Sequence, residues 1–183
     1  MSEEGQRVEA SLDRIRKFSK VVGAILRVSF VLVLLYWLAF TALSIVSMTF
    51  SVDFGIETTE SIYVLLVLLG IGFIMAILLK IGSDVFKDVA LGESPFTLVQ
   101  ARRFKAVSLI VLVYVLLEAL LSPGCMALLQ MSGIDVGYVF VDYASSPSIS
   151  INIGALLVAA VFFSLSLVFE YGLLLQELSD ETL

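Results

Sequence analysis

Histidine is absent from this chain, and Cys125 is its one cysteine. An intrachain disulfide is therefore excluded, and the imidazole and thiolate sets that hold zinc and other transition metals are not available. Charge is scarce as well: Asp, Glu, Lys and Arg make up 15% of the 183 residues. No paired Asp, Ser/Lys or His-based arrangement occurs at matched positions, so no catalytic signature is present. The protein is expected not to be an enzyme and to need no metal and no cofactor. Lys and Arg are missing altogether from two long stretches, residues 28–79 and 106–183.

Apolar surface is abundant. Hydrophobic residues reach 60% and the mean hydropathy is +1.05, well beyond an ordinary soluble domain. Four runs, 28–48, 62–79, 106–129 and 151–175, are long enough to cross a hydrocarbon core of about 30 Å at about 1.5 Å per residue. The first is too long and too far from the start for a cleavable signal peptide, so it reads as a signal-anchor. The expected fold is an all-α membrane protein, one bundle of four transmembrane helices over 1–183, with no separate soluble domain.

The net charge of −6 matters less than where the cations lie. Six of the eleven, from Arg7 to Arg27, precede or begin the first run; Lys80, Lys87, Arg102, Arg103 and Lys105 flank the second connection. Both groups are expected in the cytoplasm, which puts both termini inside, in the order of segments 1–27 (lead-in helix), four spans and 176–183 (tail). Residues 80–105 then form a cytoplasmic helical hairpin that extends spans two and three. Gly92 suits the residue just past a helix end, Ser94 an N-cap and Pro95 the first helical position. Ile81, Val85, Phe86 and Val89 form a stripe expected to face Phe96, Val99 and Phe104. In the lead-in, Val8, Leu12, Ile15 and Val22 fall on one helical face, as an interfacial helix or a docking helix requires.

Within the spans, Tyr36 and Trp37 lie near the middle of the first, away from the interfaces where such rings collect, and are expected to face other helices. Gly70 and Gly72 permit close approach in the second. Glu118 is central in the third, followed by Pro123-Gly124. A carboxylate there costs roughly 2.5 to 3.5 kcal/mol on insertion scales and belongs inside the bundle. With no cation at its depth, Glu118 is expected buried, neutral and donating a hydrogen bond to Thr41, Ser44 or Ser164. It serves either as a structural bond or as a proton-linked site. The fourth run is rich in small residues that suit helix packing. Outside the membrane, Phe50, Val52, Phe54 and Ile56 alternate with polar residues, and residues 135–142 repeat the pattern. Either a small extracellular two-stranded sheet or two loops with aromatics in the headgroups would result.

The block Gly92-Glu-Ser-Pro-Phe-Thr-Leu-Val-Gln-Ala-Arg-Arg-Phe-Lys105, together with Phe169-Glu-Tyr-Gly-Leu-Leu-Leu-Gln-Glu-Leu-Ser-Asp-Glu-Thr-Leu183, resembles a bacterial family of four-pass membrane proteins, domain of unknown function 2975. The resemblance implies a bacterial cytoplasmic (inner) membrane location. Members are often encoded beside a small helix-turn-helix regulator, which implies a regulatory partner. The family supplies no catalytic residues, and where many members carry a basic residue before the Tyr-Gly pair this chain has Glu170.

The function expected is that of a membrane-anchored regulatory or sensing protein whose cytoplasmic face binds a soluble partner such as a helix-turn-helix regulator. The candidate face comprises Arg27, Phe86, Phe96, Arg102, Arg103 and Lys105, with Glu170, Glu177 and Asp180 as an acidic edge meeting the basic one. Arg27 either snorkels to the headgroups or pairs with Glu170. Direct binding of nucleic acid is not expected, because Arg102, Arg103 and Lys105 lie next to the bilayer, where anionic lipid is their nearer partner. The alternative is a small transporter or channel subunit using Glu118, for which a homo-oligomer would supply the pathway one chain lacks.

Overall fold

The computed structural model describes residues 3–50, 62–92, 97–134, 136 and 148–181, the side chains of 3–11 and 180–181 apart. Among the described residues five helices follow in order: α1 (Glu3–Phe50), α2 (Ile62–Leu91), α3 (Leu98–Leu120), α4 (Pro123–Met131) and α5 (Ile153–Glu181). Both stretches of strand-like alternation fall largely on residues outside the described ones.

Three segments, Leu12–Phe50, Ile62–Leu91 and Ile153–Ser179, are long and apolar enough to cross a membrane; α3 and α4, bent by 63°, make a fourth if counted as one span. Leu32, Leu66, Phe73, Leu116 and Leu157 are each more than 60% exposed. Such a surface suits hydrocarbon and would aggregate in water. The chain is a multi-pass membrane protein, all-helical among the described residues.

Two boundaries differ from the sequence reading. The lead-in is not a separate element: it continues into the first span as one helix of 48 residues, about 72 Å at 1.5 Å per residue. Nothing in 1–27 breaks a helix, since no proline intervenes and Gly23 is a packing position. The third run is broken instead of continuous. Pro123 has no N–H and its ring conflicts with the carbonyl four residues earlier, so α3 stops and Ser122 turns extended (φ −67°, ψ 144°). The freed carbonyls find other donors: Ala119 accepts from the Ser122 backbone and from Ser122 Oγ (2.6 Å), and Leu120 from Tyr63 Oη (2.9 Å). In a membrane, where an unsatisfied backbone group costs several kcal/mol, these bonds allow the break.

By contact density the chain divides into two units. The first comprises Met1–Val31, Ile77–Ser108 and Ala160–Leu183; the second, Leu32–Ala76 and Leu109–Ala159. All eleven basic and eleven of the seventeen acidic residues belong to the first, which is therefore neutral, while the six remaining acids give the second the whole net charge of −6.

In the first unit α1 runs antiparallel to α2, with Leu26 at Gly82, Gly23 at Phe86 and Arg16 at Gly92. Its buried positions are mostly small or polar, namely Ser19, Ser83, Gln100, Ala101, Ser108 and Ser166, which lets backbones approach closely. In the second unit the buried set is chiefly aliphatic, including Leu65, Val67, Ile74, Val111 and Val115. There the Trp37 ring lies against Gly72, where a β-carbon would stand 2.5 Å from it, while Leu117 covers Gly70. Tyr36, expected to face a helix, is 64% exposed.

Candidate functional site

Two polar constellations stand out, one in each unit. In the first, α2 ends at Leu91 and Gly92 takes φ +87°, a left-handed conformation that a side chain disfavours. The Arg16 guanidinium lies over this glycine. Across the connection α3 begins at Leu98, later than Pro95, and the cap described is Thr97, whose Oγ1 accepts from the Gln100 backbone at 3.3 Å. Ser94, Pro95 and Phe96 lie outside the described residues.

The ends of α2 and α3 are joined by polar contacts. Asp88 Oδ2 forms an ion pair with Arg103 Nη1 and accepts from Gln100 Nε2 at 3.3 Å. All three side chains are at least largely shielded, so this bond is stronger than an exposed pair. The apolar stripe is arranged differently from expectation. Phe86 packs on Gly23 of α1, Val99 is exposed, and Phe104 packs on Phe162 and Phe169 of α5 with ring centroids 6.0 and 5.0 Å apart.

Arg27, Arg102 and Lys105 are exposed, and among the described residues the one ion pair is Arg103–Asp88. Of the basic edge expected to meet the acidic residues of α5, Arg103 pairs instead with Asp88, and Arg27 makes no ion pair with Glu170. Glu170 and Glu177 instead line a shallow groove with Leu98, Leu173 and Leu174. Asp180 lies in α5, its side chain outside the described set.

In the second unit, Glu118 is half-buried and accepts a 2.9 Å hydrogen bond from Asn152 Nδ2. Asn152 is the N-cap of α5: its Oδ1 accepts from the Ala155 backbone at 2.9 Å, so its amide orientation is fixed by use of both ends. Glu118 therefore acts as an acceptor at the bond from Asn152. The three partners expected for it are engaged differently: Thr41 Oγ1 donates to the Trp37 carbonyl, Ser164 Oγ to the Ala160 carbonyl, and Ser44 Oγ is buried without a partner. Nearby, Gly124 of α4 donates to the Ser148 carbonyl at 3.1 Å. Among the described residues no group of three or more His, Cys, Asp or Glu is assembled to hold a metal ion.

Asp88, Gln100, Arg16 and Asn152 were not legible as site residues. Asn152 carried a local signal, a good N-cap just before an apolar helix, but its bond to Glu118 spans 34 residues. Comparison with protein-family models, with curated proteins and with solved structures finds no match for this chain.

Proposed function

We propose that this chain is a non-enzymatic, membrane-anchored regulatory protein whose first unit faces the cytoplasm and binds an acidic surface of a soluble partner. The observation that carries this reading is the charge partition. Every Lys and Arg belongs to one unit, and the other holds six acids and no base. Cations are retained on the cytoplasmic side during insertion, so this partition favours both termini inside and α2 and α3 projecting inward as a hairpin. The Asp88 network ties the end of α2 to the beginning of α3, and Arg102 and Lys105 beside it are exposed and without an ion pair among the described residues. Oriented, solvated cations on a rigid support favour recognition of carboxylates or phosphates over chemistry. The resemblance to the four-pass bacterial family supports an inner-membrane location and a small helix-turn-helix regulator as the partner. Arg102→Glu with Lys105→Glu should abolish recovery of the soluble partner by the tagged full chain and leave membrane insertion intact. Recovery equal to wild type would reject this face.

One observation favours a second reading, a transporter or channel subunit: the helix break at Leu121–Ser122 lies within a turn of Glu118. Discontinuous helices beside an ionisable group are a common design of ion sites. Proton-dependent flux in proteoliposomes, lost in Glu118→Gln, would establish it; absence of flux would remove it.

A further inference from the structure

We infer that the groove of Leu98, Glu170, Leu173, Leu174 and Glu177 receives the beginning of α1 from a second copy of this chain. This inference goes beyond the proposed function and uses other residues.

The groove has a defined chemistry. Glu170 and Glu177 are seven residues apart, two helical turns or about 10.5 Å, on one face of α5, and Leu173 and Leu174 lie between them. Leu98 of α3 completes an apolar floor. An occupant must therefore bring apolar side chains with cations to either side, and one such element is present in the chain itself. At 100° per residue, Arg16, Ser19, Gly23 and Leu26 form the inward stripe of α1, in which Ser19 and Gly23 are buried and Gly23 and Leu26 meet α2. The opposite stripe is Arg14, Lys17, Phe18 and Val21, all exposed, with Phe18 64% and Val21 59% accessible. Arg14, Lys17, Glu170 and Glu177 make no ion pair among the described residues.

The two surfaces also lie at the same level. Arg16 sits at Gly92, α3 begins six residues after Gly92, and its Leu98 shares the groove with Leu173 and Leu174. Each step reverses direction: α1 against α2, α2 tied back to α3 through Asp88, and α3 against α5 through Phe104. Hence α1 is antiparallel to α5, with Arg16 near the level of Leu173. Arg14 is displaced by about 3 Å toward Glu177, and Lys17 by about 1.5 Å toward Glu170. Copies in a bilayer are related by an axis along the membrane normal, which keeps every residue at its own depth. A lateral neighbour thus brings Arg14 and Lys17 opposite the two carboxylates and Phe18 opposite the leucines, without tilting or sinking either chain.

The test uses full-length chains in native membranes, with Cys125→Ala as background. One chain carries Phe18→Cys and a co-expressed chain carries Leu174→Cys, and a short bismaleimide is added. A cross-linked product of two chains is expected only when both variants are present. Adding Arg14→Glu and Lys17→Glu to the first chain should reduce that product at least tenfold. Adding Glu170→Lys and Glu177→Lys to the second should then restore it, which also proves that the reversed chains fold. Absence of the product, a product indifferent to charge reversal, or reversal without restoration would each overturn the inference. The last result would assign Arg14 and Lys17 to anionic lipid. Because Arg102 and Lys105 are untouched, loss of the dimer and loss of partner capture are read separately.

Discussion

A single methyl group placed at two glycines should have opposite effects. Gly124 lies in the first turn of α4, beneath the chain that leads into α5. A β-carbon there would stand 2.6 Å from the Ser148 carbonyl carbon, 2.8 Å from the Ile149 nitrogen and 2.9 Å from the Ser148 oxygen. These are backbone atoms, so no rotamer change relieves the overlap. Reaching an ordinary 3.4 Å separation requires a shift of roughly 0.8 Å, which overstretches the 3.1 Å bond from the Gly124 N–H to the Ser148 carbonyl. Overpacking of this kind costs about 1–3 kcal/mol and the bond about 1 kcal/mol, against a helix-propensity gain of at most about 1 kcal/mol. Gly124→Ala should therefore destabilise by about 1–3 kcal/mol. Gly172, inside α5, has no heavy atom within 4 Å of the same added carbon, so Gly172→Ala should stabilise by about 0.5–1 kcal/mol through the reduced freedom of the unfolded chain. Equilibrium unfolding of both variants in mixed micelles measures the difference. If Gly124→Ala is as stable as wild type, or if both variants move in the same direction, the close approach of residues 148–149 to α4 is wrong.

Further outcomes follow from the polar contacts. Asp88→Ala strands Arg103 and Gln100 and should cost about 1–3 kcal/mol, as hydrogen bonds to charged groups do, while Asp84→Ala serves as the control; equal stability of the two would dismiss the Asp88 network. Glu118→Gln keeps an oxygen for Asn152 Nδ2 and should fold normally, whereas Glu118→Lys sets a cation against that donor and the positive end of α5 and should be recovered poorly; comparable melting of both in detergent would contradict the arrangement. A cysteine at Glu93, in the Cys125→Ala background, should react with an impermeant maleimide only from the cytoplasmic side, and labelling from outside would reverse the orientation proposed.

The sequence by itself determined the class of protein. Its apolar runs are longer than any soluble core requires, and the confinement of Lys and Arg to two segments is a property of the chain that no fold alters. It also determined where α2 ends, because Gly92 can adopt a left-handed backbone at little cost; the third run reads as continuous over 106–129, and its break at Pro123 was settled by the fold. Tertiary structure alone decided which side chains meet. Asp88 takes Arg103 because the two helix ends are brought together across the intervening connection, whereas Glu170, on a different helix, lines a groove with leucines. Phe104 packs on Phe162 and Phe169 of α5 for the same reason: helical periodicity specifies a face but not the neighbour it meets. Glu118 was conspicuous from its position, yet its partner Asn152 lies at the very start of an apolar run and carried only the ordinary signature of a helix cap. Its second role depends on α5 starting at the depth where α3 breaks, and that coincidence of depth is a property of packing which no local pattern records.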